Sequence, residues 1–195
     1  MIAALVLAAG VSSRMGQQKL LLPVDETKPL VRLSVERVLA AAPDDAVVVL
    51  GRDAEAVRAA VAGLPVRTVV NPRYAEGQST SLRAGLDALL PGTDAVVIAL
   101  GDQPLSDPGL IQRLIEVFRE RGKPIVVPRY RDGRGNPVLF AASVFDELRA
   151  VTGDQGGRGV VARDPSRLAE VPVDAPMPPD VDTWADYEAL IRPST

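Results

Sequence analysis

Hydrophobic and polar positions alternate along this chain in blocks rather than residue by residue. Residues 2–7, 46–50, 67–70, 95–100 and 124–127 are apolar runs of strand length. Runs of that kind predict strands buried on both faces, as in a sheet covered by helices. Between them the apolar residues recur at helical spacing. Val31, Val35 and Val38 share one helical face, Leu82, Leu86 and Leu89 a second, and Leu110, Leu114 and Phe118 a third. Asp107-Pro108 supplies an N-cap acceptor and a proline suited to the first helical position, and Gly122 a C-terminal stop. Thr183 and Asp186 stand at capping-box spacing before a last helix.

The pattern changes after residue 127. Residues 132–136 are turn-rich, and residues 137–140 read as a return strand, so a hairpin or antiparallel excursion is expected there. Residues 171–173 read as a late edge strand that tolerates proline. The βα alternation predicts a doubly wound α/β architecture. No repeat or long linker divides the chain, so one domain over residues 1–195 is expected.

Composition narrows the chemistry. The 195 residues include no cysteine and no histidine. Thiolate nucleophiles, imidazole bases and Cys/His zinc sites are therefore excluded. A metal would need oxygen ligands, as magnesium, manganese and calcium do. The net charge of -3 is spread without a basic tract, which argues against nucleic-acid and anionic-membrane partners. There is no basic leader and no apolar run of bilayer length, so a cytoplasmic protein is expected.

The first strand runs into Leu7-Ala8-Ala9-Gly10-Val11-Ser12-Ser13-Arg14-Met15-Gly16, with Lys19 just beyond. Loops at the carboxyl ends of strands are where open α/β sheets bind ligands. The glycines let backbone approach an anion, Ser12 and Ser13 supply hydroxyls, and Arg14 and Lys19 supply charge. The segment predicts a triphosphate grip. It is neither a Walker loop nor a dinucleotide fingerprint. Gly101-Asp102-Gln103-Pro104 follows the fourth run, and its aspartate emerges at the same sheet edge as a candidate magnesium ligand. In Asp180-Val181-Asp182-Thr183, alternate carboxylates face the same way, and Asp182 is the candidate second ligand. Gly77, Ser79 and Ser81 open a helix. They either contact a base and ribose or, at Ser79, only cap that helix. Residues 153–159 are too glycine-rich for a packed element. They form either a surface turn or, with Gly157 and Arg158, an acceptor-binding loop.

Leu7 to Gly16 with Lys19, Gly101-Asp102-Gln103-Pro104, and Asp180-Val181-Asp182-Thr183-x-x-Asp186-Tyr187, in this order from the start to the end of the chain, resemble the MobA/MocA-like nucleotidyltransferases. The resemblance implies a nucleotide-diphospho-sugar transferase fold, a Rossmann-like mixed, mostly parallel sheet flanked by helices. It implies magnesium, with manganese as a substitute. It implies attack by an acceptor phosphate on the α-phosphorus of a nucleoside triphosphate, with pyrophosphate leaving. Leu7, Ala8, Ala9, Gly10, Ser12, Ser13, Arg14, Lys19, Gly77, Ser79 and Ser81 would hold the nucleotide. Arg14, Lys19 and Asp102 would carry catalysis, and Asp102 and Asp182 the metal. Ala9, where guanylyltransferases of the family more often have glycine, favours CTP. The implied acceptor is molybdopterin, and the implied protein partner a molybdoenzyme or its maturation factor. Many cytidylyltransferase relatives carry Gly-His-Pro where this chain has Gly135-Asn136-Pro137. Asn136 can hydrogen-bond the acceptor but cannot carry imidazolium charge. The alternatives are another triphosphate such as GTP or UTP, another acceptor such as a sugar phosphate, or a nucleotide-binding module without catalysis.

Overall fold

The computed structural model describes residues 1–10, 12, 15–25 and 28–192. The expectations placed on Ser13 and Arg14 fall outside the described residues. Four parallel strands form the first half of an eight-stranded sheet: β1 (Ile2–Ala8), β2 (Asp45–Leu50), β3 (Arg67–Val70) and β4 (Ala95–Leu100), in the spatial order β3-β2-β1-β4. Helices α1 (Leu30–Leu39), α2 (Ala54–Ala60) and α3 (Gln78–Asp87) connect them. The 67–70 run, expected to be buried on both faces, is instead half exposed. It is paired on one side only, to β2, so its outer face stays in water.

After α4 (Pro108–Arg121) come β5 (Ile125–Tyr130), the two-residue β6 (Gly133–Arg134) and β7 (Val138–Ala141). The return strand is real, but it does more than close a hairpin. β7 lies between β4 and β5 and is antiparallel to both. Helices α5 (Phe145–Arg149) and α6 (Arg158–Arg163) follow, then β8 (Leu168–Pro172), parallel to β5, and α7 (Trp184–Ile191). The late strand thus begins at Leu168, earlier than its proline pattern suggests.

Alternate residues of each strand feed two separate cores. Ala4, Val6, Val48 and Val97 pack beneath α1, α2 and α4, whereas Ala3, Leu5, Val47 and Val96 pack beneath α3, α5 and α6. Val31, Val35, Val38, Leu82, Leu86, Leu110 and Leu114 are all buried, while Leu89 and Phe118 are partly so. Helix α3 sits close on β1 because Gly85 has no side chain: a Cβ there would run into the Leu5 side chain. Asp107 accepts from the Gly109 N–H at 2.9 Å, and Gly122 closes α4 at φ 62. No helix among the described residues is long and apolar enough to cross a membrane.

Candidate active site

The carboxyl ends of β1 and β4 lie side by side, because their parallel register pairs Leu7 with Leu100. The turn after β4 is fixed from two sides. The Gly101 N–H donates to the Leu7 carbonyl at 2.9 Å, and the Ser34 hydroxyl donates to the Gly101 carbonyl at 2.8 Å. Asp102 is thereby held at the mouth of the first loop. From the far end of the chain, the Val181 N–H donates to the Asp102 carbonyl at 3.1 Å, docking the 180–182 segment beside it. A complete capping box, in which Thr183 and Asp186 exchange hydrogen bonds, starts α7 and presents Asp182 just before it.

Lys19 connects these segments. Its ammonium donates to Asp102 Oδ2 at 2.6 Å and to Asp182 Oδ1 at 2.7 Å. The lysine side chain is 9% exposed. Burial alone would lower its pKa, but the Asp102 and Asp182 carboxylates outweigh that and raise it. Asp180, the other acid of the motif, accepts from Gln103 Nε2 at 2.5 Å. Burial, with the neighbouring Asp102 charge, raises its carboxyl above the usual range. Ser12, at φ 50, braces the loop from inside: its hydroxyl donates to Gln18 Oε1 at 2.8 Å and accepts from the Lys19 N–H at 3.3 Å.

No group of three acidic side chains among the described residues is placed to hold a metal. Two carboxylates converging on one positive charge nevertheless fit a magnesium-like ion. Such ions take one or two carboxylates and complete their shell with phosphate oxygens and water. Asp102 and Asp182 would hold it, and the Lys19 ammonium supplies the positive charge between them in this structure.

Two cavities open on this edge. The first, about 470 Å³, is lined by Ala9, Gly10, Lys19 and Asp102 from the strand ends and by Tyr74, Gly77 and Ser81 from the segment that opens α3. Of the expected nucleotide residues, Leu7, Ala9, Gly10, Lys19, Gly77 and Ser81 line it. Ala8 instead faces the core and Ser79 is buried. Ser79 does not cap α3. Gly77 takes the cap position at φ 108, and the first helical N–H groups are taken by the 153–154 segment. The Gln78 N–H donates to Asp154 Oδ1 at 3.2 Å, and the Ser79 N–H to the Gly153 carbonyl at 3.0 Å. The glycine-rich stretch is not loop throughout, since it turns helical at Arg158.

The second cavity, about 520 Å³, has an apolar floor of Leu82, Val138, Phe140 and Val161, with Arg134, Asn136, Gly157, Arg158 and Asp180 also lining it. Arg134 is tied to Glu170 at 2.7 Å, whereas the exposed Arg158 has no ion-pair partner among the described residues. The Asn136 carbonyl accepts from the Tyr130 hydroxyl at 2.8 Å. Leu7, Leu100 and Gln78 line both cavities and form the ridge between them. Sequence reasoning gave no role to Gln78, Gln103, Tyr74 or Asp154. Gln103, Gln78 and Asp154 stand inside the 101–104, 77–81 and 153–159 segments and so carried a signal of place; Tyr74 carried none.

The profile of the MobA-like NTP transferase domain matches residues 4–171. The chain belongs to that family. It is therefore a nucleotidyltransferase acting on small-molecule substrates, with the mixed, mostly parallel sheet of the nucleotide-diphospho-sugar transferase fold. Rv0371c of Mycobacterium tuberculosis H37Rv, solved in complex with manganese, superposes at a TM-score of 0.83 with 36% identity, over 97% of each chain. The nicotine blue oxidoreductase of Paenarthrobacter nicotinovorans is 31% identical over 82% of this chain and 81% of its own. A probable molybdenum cofactor guanylyltransferase of Thermococcus gammatolerans is 32% identical over 73% of this chain and 71% of its own.

Proposed function

We propose that this nucleotidyltransferase transfers CMP from CTP to molybdopterin and releases pyrophosphate. The observation that carries the reading is the pair of cavities on either side of the Leu7–Leu100–Gln78 ridge, with Lys19, Asp102 and Asp182 at the strand ends beside it. The first cavity, with Lys19 and Asp102 in its lining, suits a nucleoside triphosphate bound with a divalent ion. The second, with apolar side chains and the exposed Arg158 in its lining, suits a flat ring system bearing a phosphate. A phosphate nucleophile is anionic at neutral pH and needs no histidine base. Alignment and charge neutralisation are then the work left to the protein. Lys19 offers the leaving pyrophosphate a buried positive charge, and Arg14 is assigned to the same phosphates. Asp102 and Asp182 would hold magnesium, which when bound neutralises charge on the triphosphate. The manganese bound to the Mycobacterium tuberculosis relative supports a divalent ion here.

Ala9 lines the first cavity where guanylyltransferases of the family more often carry glycine, which supports CTP. The similarity to a guanylyltransferase pulls the other way, so the base is the point to test. Purified protein with magnesium, molybdopterin and each triphosphate in turn is expected to release pyrophosphate with CTP. Turnover with GTP or UTP but not CTP would overturn the base. Turnover only with a sugar phosphate would overturn the acceptor. Nucleotide binding without turnover for any acceptor would overturn catalysis itself.

A further inference from the structure

Ser81 is 4% exposed, yet it lines the nucleotide cavity. Its hydroxyl accepts a hydrogen bond at 2.9 Å from Asn71 Nδ2, and among the described residues it donates to none. Asn71 is itself 3% exposed and stands just beyond β3, where its N–H donates to the Leu50 carbonyl at 2.8 Å. The amide cannot turn round without loss. Its Oδ1 accepts from the Arg73 N–H at 2.9 Å, which leaves the NH₂ group to face α3, where it reaches Thr80 Oγ1 at 2.8 Å as well as Ser81. Thr80 in turn directs its hydroxyl at the Arg73 and Gly77 carbonyls, both at 2.9 Å. Asn71 and Thr80 thus each have their polarity set by a backbone partner.

We infer that Asn71 is a positioning residue that fixes the Ser81 hydroxyl as a hydrogen-bond donor into the nucleotide cavity, where it meets an acceptor atom of the nucleoside. A serine hydroxyl has one proton and can act in either direction. Here the acceptor side is filled by an amide that cannot accept, so the proton is left for the ligand. Ser81 lines the cavity from α3, with Tyr74 and Gly77 from the segment before it, whereas Lys19 and Asp102 enter it from the strand ends. With Lys19 supplying the cation for phosphates, the neutral Ser81 hydroxyl is assigned a ring nitrogen or carbonyl oxygen of the base, or a ribose oxygen. This inference rests on the first cavity's being the nucleotide site.

Asn71→Asp tests it with little change of shape. One carboxylate oxygen still accepts from the Arg73 N–H, but the other now accepts from Ser81 and takes its proton away. Binding of CTP and of inorganic tripolyphosphate is measured by calorimetry for the wild type, Asn71→Asp, Ser81→Ala and the double variant, each checked for an unaltered Tm. CTP affinity is expected to fall roughly tenfold in each single variant, and no further in the double. Tripolyphosphate affinity should be unchanged throughout. Additive losses, or losses shared by tripolyphosphate, would show that Asn71 only supports the fold and would overturn the inference. So would Ser81→Ala binding CTP like the wild type. If Asn71→Asp lowers Tm, Asn71→Ser, which frees the Ser81 hydroxyl without reversing it, replaces it; a smaller loss than in Ser81→Ala is expected, and an equal or larger one would overturn the inference. A wild type that binds no nucleotide would instead remove the nucleotide-site reading on which the inference stands.

Discussion

The two cavities are built from different material. The first draws on loops beyond strand ends: Gly10, Lys19 and Asp102 are placed by backbone hydrogen bonds and an ion-pair network. The second draws its floor from the bodies of regular elements, with Val138 and Phe140 on β7, Leu82 on α3 and Val161 on α6. Charge acts over distance and tolerates one shared end for many ligands. Apolar walls recognise shape, and shape comes from packed side chains. The side next to Lys19 and Asp102 should therefore answer to charge changes, and the other cavity to volume and to single rim contacts.

The comparison can be broken first at Asp102. Asp102→Asn keeps size and removes charge. Turnover is expected to fall roughly a hundredfold to a thousandfold, with the acceptor KM unchanged and the fold intact by circular dichroism. Near-normal turnover would take Asp102 out of the chemistry. Next is Arg158→Ala on the opposite rim, where acceptor KM is expected to rise about tenfold while the triphosphate KM stays put. A change in the triphosphate KM would mean that the two cavities are not separate in function.

The third test concerns Tyr130, which holds the Asn136 rim. Burial, helped by Asp107 and Asp132, raises its pKa from 10.0 to about 12. The folded protein keeps that phenol proton when the unfolded chain has lost it. The stabilisation is therefore complete below pH 10 and is lost as pH rises towards 12. Urea unfolding from pH 9 to 12 should show a steeper alkaline loss in the wild type than in Tyr130→Phe; parallel profiles would exclude Tyr130 as the cause. The smallest effect is expected from Thr183→Ala, which removes the cap in front of which Asp182 is presented. A loss of about 1 kcal/mol in stability is expected, read as a fall of a few degrees in Tm.

What the sequence reveals follows the same divide. Strand runs, helical faces and caps are local, and each is written in consecutive residues: Asp107-Pro108, Gly122 and the Thr183–Asp186 box all stand where their chemistry says. The convergence of Asp102 and Asp182 was readable too, because both motifs sit at ends of elements. What escaped was non-local. Nothing in residues 138–141 says that they pair with β4 as well as β5, since the same apolar run satisfies either neighbour. Nothing in Asp154 says that it caps a helix 76 residues earlier. Ser79 looked like a cap because serine favours that position, but Gly77 took it, with the backbone at φ 108 that glycine accepts most readily.

The position of β7 has a consequence in time as well as in space. β1 to β4 can pair in the order in which they are made, whereas β5 finds its place in the sheet only when β7 arrives to bridge it to β4. Until then β4 presents an uncovered hydrogen-bonding edge with the apolar sequence Ala-Val-Val-Ile-Ala-Leu. Exposed edges of that composition recruit other chains. A nascent or nicked chain lacking residues 138–141 would thus be an aggregation hazard, and those four residues act as a seal on the sheet as much as a wall of the cavity.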